Sequence, residues 1–432
     1  MQIAEKDLDS ACHVGFGLGL VALLGGLLIG VVHLARPEGF GTAPAVAAEA
    51  LHLRTRVQLI GGCLVLAATV LSATLRSRRA RHGQLARLLV AVLWTSLGSA
   101  ALAVLLNWAI VTRHAADYLG LLPALLDLVA VALYAGLATM VLAGADGPLA
   151  VAMLVQNGMA WLLLYAVAQL IWTAGRVFLD NDRLLWFVDT PAMEAGLLGF
   201  LVPTGLGLLL GGLPDLSHGR AMLRTVPQAV QTMSICLALW LVLRVWCIRY
   251  PGSYQQLVLA LVGLGILLCV LKMAEGSGLT DPWRRGGAPQ VGRQLAVQAL
   301  PFSLLFLIAA ALLVAVVGVY TAGANRPPPQ GLFAALGLSL TWGFFVTLAG
   351  PLMVTRIQGR AALSTQTRRR IVVAWSCLAV GSALAAGLWA MTAVVERSLN
   401  LLVVGAEGLT AVGVLGLVAW VHSVRARPPT AP

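Results

Sequence analysis

Twelve apolar runs, at 13–35, 56–76, 86–112, 119–143, 148–177, 184–213, 224–247, 254–275, 294–321, 329–355, 370–395 and 398–424, occupy almost the whole of this chain. About twenty residues of α-helix cross the hydrocarbon of a bilayer, and lipid forces the backbone to satisfy its own hydrogen bonds, so each run is read as a spanning helix. With 59% of 432 residues hydrophobic and 11% charged, the composition is not that of a soluble domain, and no stretch remains to build one. Residues 1–432 are therefore read as a single all-α polytopic membrane domain. The opening MQIAEKDLDSACH is acidic and has no basic region before the first apolar run, so the first helix is expected to be retained. The six cysteines are scattered, with no CxxC pair, and are read as small apolar fillers.

The net charge of +12 has a topological meaning in such a chain. If odd-numbered helices run outward, 19 of the 29 lysines and arginines fall on the inner side, which places both termini in the cytoplasm of a bacterial-type inner membrane. The basic turns lack interleaved aromatics or a recognition motif, so nucleic acid is not expected as a partner; the lipid bilayer is.

A second regularity lies within the runs. The span from Pro191 to Arg220 recurs in degenerate form from His52 and from Pro329, and Gly61, Gly199 and Gly337 are then separated by equal steps of 138 residues. Each span closes on a similar polar turn, with Gly83, Gly219 and Gly359 in matching places. A period of about four helices suggests three pseudo-equivalent four-helix arcs, approximately 13–145, 148–283 and 290–424, with the second, sixth and tenth helices corresponding.

Twelve helices with both termini inside, in three arcs of four, resemble subunit I of the haem-copper oxidases, which places several metal-binding histidines on its second, sixth and tenth helices. The stretch EAGLLGFLVPTGLGLLLGGLPDLSHGR followed by LALWLVLR is similar to the sixth-helix region of the NnrS family, twelve-helix haem- and copper-containing proteins of the nitric oxide response. TRIQGRAAL, in the third copy, resembles a later segment of that family. The chain departs from the pattern where the chemistry would be. Met193 and Glu194 stand where the family has a histidine before Gly199 and Phe200, and no histidine precedes Gly337 on the tenth helix. Only His52 lies near the expected position on the second helix. Without those imidazoles the binuclear centre that the resemblance implies cannot be assembled.

The candidate site residues follow from two arguments. The resemblance leaves His52, with Met193 or Glu194, as a possible haem or metal ligand set; Trp94, Trp240 and Trp375 could flank a porphyrin, although aromatic packing and interface anchoring also account for them. Independently, an ionised carboxylate in hydrocarbon costs several kcal/mol unless it is paired or solvated. Asp127, Glu194 and Glu407 lie at similar depth, and Arg54, Arg56 and Arg244 are their candidate partners. The cluster reads first as structural ion pairs and second as a cation or proton site.

The expected function is accordingly that of a structural or accessory membrane subunit of a respiratory or nitric-oxide-related system, without catalysis or a resident cofactor, in contact with other membrane subunits. The alternatives are a haem- or metal-binding redox protein using His52, and a secondary transporter using the buried acids.

Overall fold

The computed structural model describes residues 2–35, 44–75, 82–111, 117–144, 149–178, 192–212, 220–246, 257–277, 291–324, 330–358, 365–395 and 400–425. Each of these twelve segments is helical. They are α1 (Gln2–Ala35), α2 (44–74), α3 (His82–Val111), α4 (117–144, entered through a 3₁₀ turn), α5 (Leu149–Phe178), α6 (192–212), α7 (Arg220–Trp246), α8 (Leu257–Ser277), α9 (Val291–Ala324), α10 (330–358), α11 (Thr365–Val395) and α12 (Asn400–Arg425). Eleven contain a stretch long and apolar enough to cross a membrane; that of α8, Val258–Met273, is shorter.

Short connections make consecutive helices antiparallel. At the α1–α2 seam the direction can be read from the contacts. Gly15, Gly19, Gly26 and Gly30 of α1 meet Thr69, Leu66, Gln58 and Arg54 of α2 in that order, one sequence rising as the other falls. The even-numbered helices consequently begin at one end of the bundle, called here the entry end.

The helices pack as a ring around a centre. Going round, α1 touches α3, followed by α4, α5, α7, α8, α9, α11 and α12, which returns to α1. Inside stand α2, α6 and α10, each touching the other two. Burial agrees: in the inner spans 94%, 89% and 89% of the apolar window is buried, against 39% to 50% in the other spans. Ring helices turn large apolar side chains outward, among them Leu28, Trp94, Leu105, Leu149, Leu305 and Leu415. In water such a surface would aggregate; against acyl chains it is ordinary.

All three inner helices are interrupted by a π-helical turn, over Val57–Leu64, Ala195–Leu201 and Ser339–Val346. A π turn closes its hydrogen bonds over five residues and locally widens the helix. In α10 the Thr347 hydroxyl reinforces this spacing by donating to the Trp342 carbonyl, five residues back, at 2.8 Å. The fifth residue of every π turn is a glycine: Gly61, Gly199 and Gly343. Against each sits a side chain from the ring, Ala100 of α3, Trp161 of α5 and Phe306 of α9, so that a Cβ on any of the three would collide with it.

The π turns change one equivalence suggested by spacing. Gly337 lies ahead of the α10 π turn and has only Leu197, 3.9 Å from its would-be Cβ, as a neighbour; Gly343 occupies the place that Gly61 and Gly199 hold. Of the turn glycines, Gly83 falls in the first turn of α3, whereas Gly219 and Gly359 lie outside the described residues.

Aromatic rings fill the centre. Phe200 of α6 and Phe345 of α10 have centroids 6.4 Å apart, and Tyr134 of α4 meets Phe200 edge-on at 6.2 Å. The Phe344 ring lies over Gly205, and Trp342 is fully buried.

Candidate functional site

At the entry end, α2 carries the sequence HLRTR from His52 to Arg56. In a helix, residues four apart share a face and those two apart point to nearly opposite sides. His52 and Arg56 therefore look one way and Arg54 the other. All three are buried, at 5%, 6% and 4% exposure.

Arg54 crosses α1 to reach α12. Its guanidinium lies directly on Gly30, where any β-carbon would strike Nη1, and that nitrogen reaches Glu407 Oε1 at 2.8 Å. The same carboxylate oxygen accepts a hydrogen bond from the indole nitrogen of Trp389 on α11, at 3.0 Å. Four helices are thereby tied at one buried point.

On the other face, Arg56 Nη2 stands 2.7 Å from Asp127 Oδ2 on α4. The N–H is not aligned with that oxygen, so the contact is better described as an ion pair than as a directed hydrogen bond. The Ser99 hydroxyl on α3 donates to Asp127 Oδ1. His52 stacks on Trp172 of α5, with centroids 4.0 Å apart and planes at 25°.

The third acid is held at another seam. Glu194, 2% exposed, accepts a hydrogen bond from the Trp240 indole of α7 at 2.5 Å. Met193 beside it is also buried. Arg244 belongs to α7, but its side chain lies outside the described residues. Deeper in the bundle, the Trp161 indole donates to Ser234 Oγ at 3.2 Å and Ser234 to Asn157 Oδ1 at 2.9 Å, joining α5 to α7.

Among the sequence candidates, the structure thus brings Arg54 to Glu407 and Arg56 to Asp127. The neutral donors Ser99, Trp240 and Trp389, and the Trp172 ring beneath His52, were not anticipated as members of the cluster. Their spacing from the charged residues is too long, and their types too common in membrane helices, to leave a signal. Trp240 and Trp375 serve as hydrogen-bond donors, the latter to the Thr347 carbonyl at 3.4 Å, and Trp94 is 70% exposed on the ring surface.

The energetics follow from burial. A charged residue at the centre of a spanning helix costs roughly 3 kcal/mol on the insertion scale, and pairing at 2.7–2.8 Å offsets that cost only while both partners are present. Chemically, the two pairs are charge-compensated. Among the described residues, no three of His, Cys, Asp and Glu converge as a metal-ion site.

The fold and this network together define a helical, multi-pass membrane protein with a charged core at one end of its bundle. No protein-family model matches the chain, and no curated protein matches it.

Proposed function

We propose that the protein is a structural or accessory subunit of a respiratory or nitric-oxide-related membrane system, built on the three-arc plan of NnrS and haem-copper oxidase subunit I but without a binuclear centre. It crosses a bacterial-type inner membrane with both termini in the cytoplasm, as its basic residues favour. The observation that carries the reading is the meeting point of α2, α6 and α10. There the Phe200 and Phe345 rings meet, Phe344 lies over Gly205 and Trp342 is fully buried, and His52 is the only histidine on the described parts of the three helices. The three-arc plan is supported by the glycine in the fifth place of each π turn and by the way each set of four consecutive helices supplies one inner helix.

Visible absorption and metal analysis of the full chain, purified in mild detergent, test the proposal. The expected result is no Soret band and no stoichiometric copper. Copper together with a high-spin haem signal would overturn it. A second reading, a single haem or metal held through His52 with Met193 or Glu194, draws on the burial of all three residues. It predicts a Soret band that His52→Ala abolishes.

A further inference from the structure

At the end of the bundle opposite the charged core, a crevice opens on the ring surface between α9 and α11 and reaches inward to α10. It is lined by Ala299 of α9, Gly350, Pro351 and Val354 of α10, Ile371, Val372 and Trp375 of α11, and Leu417 of α12. The walls are almost wholly apolar. Phe302, half-exposed on α9, meets the Trp375 ring edge-on at 5.0 Å. The free volume is about 60 Å³, well below the roughly 150 Å³ that holds a benzene ring, so the crevice suits a slender chain and not a cyclic ligand.

The crevice ends one residue short of three consecutive arginines. Ile371 and Val372 line it, and Arg368, Arg369 and Arg370 precede them on α11, the first half-buried and the other two exposed. The neighbouring sequence adds only positive charge. Residues 355–373 contain Arg356, Arg360, Arg368, Arg369 and Arg370 and no acid. Residues 291–324 and 408–432, which take in α9 and most of α12, contain no acid either, and Arg293 and Arg425 stand at the ends of those helices nearest the crevice. Nothing in these segments offers a carboxylate to neutralise the arginines. An apolar channel at acyl-chain depth beneath consecutive arginines at headgroup depth, in segments that carry no acid, matches one membrane component in both chemistry and length.

We propose that this crevice binds an anionic phospholipid, one acyl chain lying in the groove against Gly350 and Trp375 and the phosphate engaging Arg368, which shares the helix face of Ile371, Val372 and Trp375, while Arg369 and Arg370 add positive charge at the same level. Gly350 matters because its missing side chain is part of the groove: a β-carbon there would have only Leu417 nearby, at 3.9 Å. Basic residues at a membrane surface favour anionic lipid by about fivefold in affinity for each arginine engaged. The site is independent of the proposed function.

The test uses the full chain in mild detergent, with thermal midpoints measured while phosphatidylglycerol, phosphatidylcholine of the same chains, or soluble glycerol phosphate is titrated in. Phosphatidylglycerol should stabilise at concentrations at least fivefold lower than phosphatidylcholine, and glycerol phosphate should have no effect. Replacing Arg368, Arg369 and Arg370 together by Gln should equalise the two lipids, while Gly350→Leu should weaken the response to both. Equal responses to the two lipids in the parent protein would mean that the arginines serve topology alone, and the proposal would fall. It would fall equally if glycerol phosphate reproduced the stabilisation, or if the triple variant kept its preference.

Discussion

The Arg54–Glu407 pair allows a quantitative test of the charged core. Both residues are almost fully buried, at 4% and 1% exposure, and the pair joins the inner helix α2 to the ring helix α12 across Gly30. Glu407→Gln preserves shape and still offers an oxygen to the Trp389 indole, but leaves the Arg54 charge without its counterion. Arg54→Met keeps an unbranched side chain in the Gly30 groove and strands the Glu407 charge instead. Either single change should cost about 3 kcal/mol, the lower end of the range for breaking a buried pair, because both retain packing. The double variant leaves no uncompensated charge and should cost less than either single change, well short of the about 6 kcal/mol expected if the effects were independent. Unfolding free energies can be measured by denaturing-detergent titration in mixed micelles, followed by helical circular dichroism. If the double variant lost the full sum of the singles, the two residues would not act as a unit and the argument from ion pairing would fail.

Other expectations concern the packing. Gly343→Ala should destabilise by about 1–3 kcal/mol, because the new methyl meets the Phe306 ring, whereas Gly17→Ala, with open space around it, should be neutral or gain up to about 1 kcal/mol of helix propensity in the same titration. Trp240→Phe removes the donor to Glu194 and should cost about 1–3 kcal/mol, most of which Glu194→Leu on the same background should restore. Among variants retaining a single tryptophan, one with Trp94 or Trp108 should be quenched strongly by brominated lipid acyl chains and one with Trp342 hardly at all. The first two are 70% and 64% exposed on the ring and the third is fully buried.

The twelve helices could be located from residue order alone because membrane spans are set locally. The bilayer demands a fixed length of apolar backbone whatever its neighbours are, so the run at 86–112, for example, falls within α3 at His82–Val111 to a few residues. Burial of Asp127, Glu194 and Glu407 was arguable on the same ground, since the cost of exposing a carboxylate to lipid does not depend on the fold. Which arginine serves which acid was not. That choice rests on the faces of α2 to which residues 54 and 56 point and on the gap left by Gly30, both properties of packed helices.

The division into centre and ring was likewise a tertiary decision. The spans of α2, α6 and α10 have mean hydropathies of 1.9, 1.7 and 1.8, inside the 1.6 to 2.9 of the ring spans, so hydropathy does not distinguish them. In water an inner helix differs from an outer one by having no polar face. In a bilayer the surroundings of the ring are as apolar as its core, and that contrast disappears. The π turns show the same limit: spacing pairs Gly61 and Gly199 with Gly337, yet Gly343 is the glycine that stands fifth in the π turn of α10. Glycine is frequent in this chain, and only the side chain pressed against each one, Ala100, Trp161 or Phe306, reveals which glycines are needed.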